Sequence, residues 1–477
     1  MKMNNFKKGI VLISITLSFA ACKFLNVAER KPDFKTPITY NNELDSDNLA
    51  DINWKIFFAD TYLVSLIDTA LQNNQELNVM LQEIAQSKNE IRSKKGDYLP
   101  FLTPMATVGT DKTSKYSREG AVESNLPIAP GKSFPEPLNE FRFGAFATWE
   151  VDIWHRLRNA KNAAVTRYLA SIAGKNFMVT NLVAETAKTY YELMALDNQL
   201  LIIKQNIVVL TDALEIVKLQ KEAARTTELA VKKFEAEVYK FQSHQFEMAQ
   251  RIYETENKLN YILGRFNRPI LRQSSKFSAL IPDTLHAGIP SQLLTNRPDI
   301  KQAELNLIAS KLDIKVAKAR FYPSFNISAG VGFQAFNPMY LIKTPESLLF
   351  SLAGELVAPL VNRNAIKADF FNANAKQIQA AIHYERSILN AFVEVSNQVS
   401  KIGNLDKSYR FKSLEVAALQ QSIEISIDLF KSARADYMEV LLTQRDALTA
   451  RVELIETKNQ QLLARVNLYQ ALGGGWK

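Results

Sequence analysis

The 16 prolines of this 477-residue chain avoid two long windows: none lies between Leu138 and Arg268, and none between Leu360 and Lys477. Proline removes a backbone donor and clashes with the preceding turn, so where it is absent a helix can run on without interruption. Glycine is nearly absent too, with only Gly174 inside Asn159–Glu222 and only Gly403 inside Asn364–Leu472. Both windows are rich in Ala, Leu, Glu, Lys and Gln, the strong helix formers. Apolar residues recur three and four apart, as in Leu193, Leu196, Leu200, Ile203, Ile207, Leu210, Leu214 and Val217. The second window repeats the pattern through Leu414, Ala417, Ile423, Ile427 and Phe430, then Leu441, Leu448, Val452 and Ile455. At 1.5 Å per residue a helix over 156–222 is roughly 100 Å long. That length exceeds what globular cores use and predicts coiled-coil packing. Each run lapses once, at 223–228 and at 433–437, and these lapses are expected to be the tips of two helical hairpins.

The two windows are copies of one unit. An offset of 209 residues sets Leu263-Gly264 on Leu472-Gly473, Asp197 on Asp406 and Ala224-Arg225 on Ala433-Arg434 without a gap. Upstream, an offset of 223 pairs Ser87-Lys88 with Ser310-Lys311, Pro100 with Pro323 and Val108-Gly109 with Val331-Gly332. Matches at such punctuation points predict two repeats of a single supersecondary unit.

Between its helices each repeat carries strand patterns. Phe325, Ile327, Ala329, Val331, Phe333 and Ala335 alternate with Ser324, Asn326, Ser328, Gly330, Gly332 and Gln334, and Phe141 to Asp152 alternates in the same way. Segments 101–111 and 346–358 alternate less cleanly, and Pro104 interrupts the first. Such segments match the roughly 9–11 residues of a membrane-crossing β-strand, although a soluble hairpin packed on the coiled coil has the same pattern. Four strands cannot close a barrel, and open strand edges are not tolerated in hydrocarbon. If the strands cross a membrane, several copies must pool them; three copies give about 12 strands in a pseudo-sixfold tube.

The N-terminus reads as an address. Lys2, Lys7 and Lys8 precede the apolar stretch Gly9–Ala21, which ends in Phe19-Ala20-Ala21-Cys22 and is too short to span a bilayer. This resembles a bacterial lipobox, which makes Cys22 the acylated first residue of the mature chain; an ordinary signal peptide beside a chance cysteine is the other reading. Lys23 after the cysteine favours outer-membrane over inner-membrane retention. Cys22 is the only cysteine and the four histidines lie far apart, so no cysteine-rich or HExxH metal site exists. The formal charge is +9, yet no basic run interleaved with aromatics points to nucleic acid.

Nearly the whole mature chain is similar to one family. Trp54–Leu71, Trp149–Arg158, Leu294–Glu304, Ala319–Ser324, Tyr437–Arg445 and Leu468–Trp476 together resemble the TolC-type outer-membrane efflux factors, in their lipoprotein subfamily. In Asn296-Arg297-Pro298-Asp299, Asn296 can cap a helix, Pro298 suits its first position and Asp299 suits its dipole. Trp149 suits a membrane interface, and Arg156 and Arg158 mark the change from strand to helix. Departures are visible at a turn and at the two tips: His155, Ala224 and Ala433 stand where the family usually has glycine.

The resemblance implies a mainly α fold with a membrane β-barrel: a trimeric 12-stranded barrel on an α-helical periplasmic coiled-coil tube. The expected organisation is a signal peptide over 1–21, a lipidated segment over 22–60, a first repeat over 61–264 with strands near 101–111 and 140–152, a periplasmic equatorial linker over 265–292, a second repeat over 293–473 with strands near 324–336 and 346–358, and a tail over 474–477. The resemblance further implies a homotrimer in outer-membrane lipid, working with a periplasmic adaptor and an inner-membrane pump of the resistance-nodulation-division type. An acidic ring of Asp436 and Glu439 would line a periplasmic aperture. Arg225, Thr226, Thr227, Glu228, Arg434, Asp436 and Tyr437 would face the adaptor. No cofactor and no catalysis are expected. The main expectation is a passive exit duct of a tripartite efflux system. A type I protein-secretion channel and a non-pore coiled-coil scaffold are the alternatives.

Overall fold

The computed structural model describes residues 29–32, 36–40, 47–280, 287–432 and 434–477; Cys22 and the segment before it lie outside the described residues. The chain divides into two compact units, one built on 93–163 and 307–382, the other on 36–92, 164–306 and 383–477.

The first unit is organised by a sheet. Strands β1 (Phe101–Asp111), β4 (Leu138–Val151), β5 (Ser324–Ala335) and β6 (Leu348–Val357) pair antiparallel in the order β1-β4-β5-β6. Strand β4 begins two residues before the expected 140, and β6 starts two residues later than the alternation suggests. A helix α4 (Arg118–Asn125) and the short hairpin of β2 (Pro127–Ala129) and β3 (Lys132–Ser133) fill the connection from β1 to β4, and no periodicity in the sequence announces them. Pro104 stands inside β1 opposite Ala145. It is tolerated because β1 is an edge strand, with one side carrying no ladder within the chain. At the centre Gly144 faces Gly332, and a Cβ on Gly332 would come within 2.5 Å of the Phe143 carbonyl oxygen. Bare backbone on both sides lets β4 and β5 approach at that point.

The second unit is helical. Short α1 (Trp54–Phe58) and α2 (Thr61–Asn73) lead into α3 (Gln75–Tyr98), and α7 (Leu293–Asn296) leads into α8 (Pro298–Ala319), with the end of α3 from 93 and of α8 from 307 counted in the first unit. The long helices are α5 (Arg156–Glu222) with α6 (Glu228–Ile262), and α9 (Asn364–Lys431) with α10 (Tyr437–Ala471). Residues 223–227 and 432–436 join them, so Glu228 and Tyr437 open the return helices rather than sitting in the turns. A core of Leu210, Leu214 and Val217 from α5, Val231, Phe234, Val238 and Phe241 from α6 and Leu448 from α10 joins the two hairpins. At about 25 cal/mol per Å² of apolar area removed from water, burial of this kind is the main source of hairpin stability.

Both repeats end their second helix in the same way. Gly264 N–H donates to Tyr261 and Arg265 N–H to Asn260; Gly473 N–H donates to Gln470 and Gly474 N–H to Tyr469, all at 2.9–3.0 Å. Gly264 (φ 65) and Gly473 (φ 90) supply the left-handed residue of this Schellman pattern. The expected helix start in Asn296-Arg297-Pro298-Asp299 needs correction. Pro298 is the first residue of α8. The residue before it in extended backbone is Arg297 (φ −86°, ψ 116°), while Asn296 closes α7. Asn296 Oδ1 instead accepts from Lys477 Nζ at 3.2 Å, and its carbonyl accepts from Trp476 Nε1 at 3.2 Å. The C-terminal tail occupies the groups that a cap would have used.

Candidate functional site: a two-faced sheet and two hairpin tips

Side chains alternate across a strand, and the register sorts them into two unlike faces. One carries Leu102, Ala106 and Val108 from β1, Phe141, Phe143, Ala147 and Trp149 from β4, Ile327, Ala329, Val331 and Phe333 from β5, and Leu348, Phe350, Leu352 and Leu356 from β6. Its hydrogen-bonding side chains are confined to Thr110 and Asn139, opposite each other at one end, and the Trp149 indole. The other face carries Thr103, Thr107, Glu140, Arg142, Thr148, Glu150, Asn326, Ser328, Gln334, Ser351 and Glu355, with glycines and a few apolar residues between them. Arg142 Nη2 donates to Glu140 Oε1 at 2.9 Å, and Gln334 donates to the same oxygen. Phe350 and Leu352 are 80% and 79% exposed, far from what a soluble sheet leaves bare. Such a sheet has one face for lipid and one for water.

Where strand gives way to helix, polar groups are tightly tied. Arg156 grips Glu150 with Nε at 3.1 Å and Nη2 at 2.5 Å. The buried Asp152 carboxylate accepts from the Leu157 and Arg158 amides at 2.9 Å each, which caps α5. Trp154 stacks on Tyr322 and donates Nε1 to the Pro323 carbonyl at 2.8 Å. Trp149 donates Nε1 to the Tyr98 carbonyl at 3.1 Å, holding an amphipathic ring at the end of the apolar face. His155 adopts φ 57°, the left-handed backbone that glycine takes without strain.

At the first tip Ala224 also sits in left-handed backbone, at φ 52°. Its N–H donates to Lys221 at 2.9 Å and that of Arg225 to Gln220 at 2.8 Å. The turn is thus a Schellman end built on alanine. Thr227 occupies the cap position of α6. Glu228 pairs with Lys221 at 2.6 Å across the turn, and this hydrogen bond holds the Glu228 carboxyl below the usual carboxylate range. Arg225, Thr227 and Glu228 are exposed and Thr226 is half-buried.

The second tip lacks that ion pair. At the repeat offset Lys221 becomes Phe430 and Glu228 becomes Tyr437, and both rings pack on the hairpin core. Arg434 N–H donates to Leu429 at 2.9 Å, the bond that Arg225 makes at the first tip. Ala433 lies outside the described residues. Asp436 stands at the cap position of α10 and its side chain makes no capping bond, while its carbonyl accepts from Glu439 N–H at 3.1 Å. Asp436, Glu439 and Arg434 are exposed. The two acids therefore sit within one turn of each other. Sequence reasoning misses two features of this region. One is the Lys221–Glu228 pair. The other is Gln444, one helical turn beyond Leu441, which is 3% exposed with no partner for either side-chain polar atom. The i, i+7 spacing from Lys221 to Glu228 is visible in the sequence, but only a turn of known length turns it into a contact.

The family model described as outer membrane efflux protein matches residues 66–265 and 289–474. The cation efflux system protein CusC of Escherichia coli O6:H1 is 25% identical over 471 residues, covering 97% of this chain and 98% of that protein. The pyoverdine export outer membrane protein OpmQ of Pseudomonas aeruginosa is 27% identical over 429 residues, 89% of this chain and 87% of its own length. A crystal structure of CusC superposes with a TM-score of 0.83 at 23% identity, over 94% of this chain and all of that one. The mainly α fold with paired repeats and a sheet of membrane-barrel type is thus the fold of solved efflux channels, and the resemblance seen in the sequence holds. The chain belongs to the outer membrane efflux protein family.

Proposed function

We propose that the protein is the passive outer-membrane exit duct of a tripartite efflux system, a homotrimer anchored through acylated Cys22. The observation that carries this reading is the sheet: one face almost wholly apolar, the other mainly polar, and β1 and β6 left as open edges. Open edges cannot stand in hydrocarbon. Pairing β6 of one copy with β1 of the next removes them, and three copies supply about 12 strands, an even number of the size that outer-membrane barrels use. The apolar face then meets lipid and the polar face lines the lumen.

The helical hairpins extend the duct into the periplasm, where a periplasmic adaptor and an inner-membrane pump deliver cargo and energy. In this reading Arg225, Thr226, Thr227, Glu228, Arg434, Asp436 and Tyr437 face the adaptor, and Asp436 and Glu439 from each copy form an acidic ring at the aperture. Three-fold repetition brings like charges together, which favours cations and resists closure. A cation system and a pyoverdine exporter are both relatives, so a shared tube serves chemically unlike cargo, and the choice of cargo belongs to the pump.

The test is single-channel conductance of the detergent-purified protein in a planar bilayer, wild type beside an Asp436→Ala, Glu439→Ala double variant. A small cation-selective conductance that grows and loses selectivity in the variant is expected. Unchanged selectivity would remove these acids from the aperture. Absence of both conductance and membrane insertion would replace the duct with a periplasmic scaffold.

A further inference from the structure

We infer that Lys132 and Lys343, gathered on the ring of Tyr340, hold the phosphate headgroup of an outer-leaflet lipid. This rests on the duct reading above and adds a ligand that the duct itself does not require.

The cluster is built from the two connections at one end of the sheet. Strands β1 and β5 follow helices α3 and α8, and β4 and β6 precede α5 and α9. The connections 112–137 and 336–347 therefore share the end away from the helices, which in the duct faces outward. From the first, Lys132 Nζ donates to the Tyr340 hydroxyl at 3.3 Å and lies 5.9 Å from the ring centroid. From the second, Lys343 Nζ lies 5.0 Å from the same centroid. An edge contact with Phe336, 5.1 Å between centroids, steadies the ring.

The second connection is tied to its own backbone. Ser347 Oγ lies 2.9 and 2.6 Å from the Leu341 and Lys343 carbonyl oxygens and shares its hydroxyl proton between them. Asn337 Oδ1 accepts from the Met339 amide at 3.0 Å. Tyr340 and the Lys343 backbone are thus positioned before any ligand arrives, which lowers the cost of binding.

A neutral phenol attracts each ammonium through its ring and hydroxyl, but it cancels neither charge. Among the described residues neither lysine has a carboxylate within ion-pair distance, although Glu346 stands three positions from Lys343. At the same end of the sheet Lys112 and Lys115 both reach Glu136, at 3.8 and 3.3 Å. Two uncompensated ammonium groups on one ring repel each other, and an anion between them offsets the repulsion. Lysine presents the point charge that phosphate accepts.

Apolar surface beside these charges makes the ligand a lipid rather than a free ion. Met339 and Ile342 are 75% and 85% exposed. Their connection runs directly into β6, where Leu348, Phe350 and Leu352 belong to the apolar face. An acyl chain lying on that face brings its headgroup to Tyr340. An amphipathic ring and two long cationic side chains suit that depth.

Isothermal titration of the full-length protein in non-ionic detergent tests the site, with bis-phosphorylated lipid A as the probe. Affinity is expected to fall about thirtyfold in a Lys132→Gln, Lys343→Gln double variant, the worth of two lysines at an anionic membrane surface. The Lys132→Arg, Lys343→Arg variant should keep wild-type affinity, which separates loss of charge from loss of fold. Lipid A stripped of its phosphates should bind wild type no better than intact lipid A binds the glutamine variant. Undiminished affinity in the glutamine variant, or equal affinity for the stripped lipid, would overturn the site. Inorganic phosphate that displaces lipid A at equal concentration would overturn the lipid as its source. Membrane insertion and conductance are measured beside each titration. A wild type that inserts and conducts without binding lipid A sinks this inference alone, whereas one that neither inserts nor conducts removes the duct reading beneath it.

Discussion

Arg297 donates Nη1 to the carbonyl oxygen of Ala471 at 2.8 Å, joining the start of α8 to the last residue of α10 across 174 positions of sequence. The same nitrogen reaches Glu394 at 2.6 Å, and Nε and Nη2 grip Asp299 at 3.0 and 2.7 Å. One buried guanidinium thus satisfies two carboxylates and a C-terminal helix carbonyl that has no partner inside its own helix. Burial alone would weaken its hold on the proton, but Asp299 and Glu394 more than offset this and raise its pKa.

Arg297→Ala is therefore expected to lower stability by about 3 kcal/mol, the cost of breaking a buried charged network by removing one partner. Arg297→Lys recovers only part of the loss, because an ammonium cannot hold Asp299 bidentately while reaching Ala471. Urea unfolding followed by circular dichroism reads both midpoints; an alanine variant indistinguishable from wild type would show that the network contributes nothing.

Ala224 and His155 hold left-handed backbone, which costs a residue with a Cβ about 1 kcal/mol relative to glycine. Ala224→Gly should slow amide hydrogen exchange over the first tip by several-fold, since the Arg225-to-Gln220 bond then closes without strain. His155→Gly should do the same at the start of α5. Faster exchange in either variant would mean that the Cβ is anchored by contacts that outweigh the strain.

Gln444 lies between Leu441 and Leu448 on α10 with both side-chain polar atoms buried and unpartnered. A buried polar group without a partner costs about 1–3 kcal/mol. Gln444→Met keeps the volume and removes the cost, so its thermal midpoint should rise above wild type, whereas Gln444→Ala should fall below it by leaving a cavity. A drop in the methionine variant would show that the amide finds its partner in the assembled protein.

Much of this molecule is local, and what is local is legible in the sequence. Proline-free windows with apolar residues three and four apart are α5, α6, α9 and α10, because a helix satisfies its own backbone and needs only a stripe to bury. The Leu-Gly pair that recurs in each repeat marks two identical helix ends, since only glycine takes that backbone without strain. Period-two alternation in β4 and β5 likewise sorts lipid-type from water-type side chains. Decisions taken between distant segments are not legible. That Arg297 bridges rather than flanks the helix start depends on Glu394 and Ala471, which no spacing connects to it. That Asn296 yields its cap role depends on Lys477 and Trp476 folding back over it. Which strands remain edges, and which helical stripe stays bare, follow from the order in which elements pack. Periodicity says that a face must be covered, and only the tertiary structure says by what.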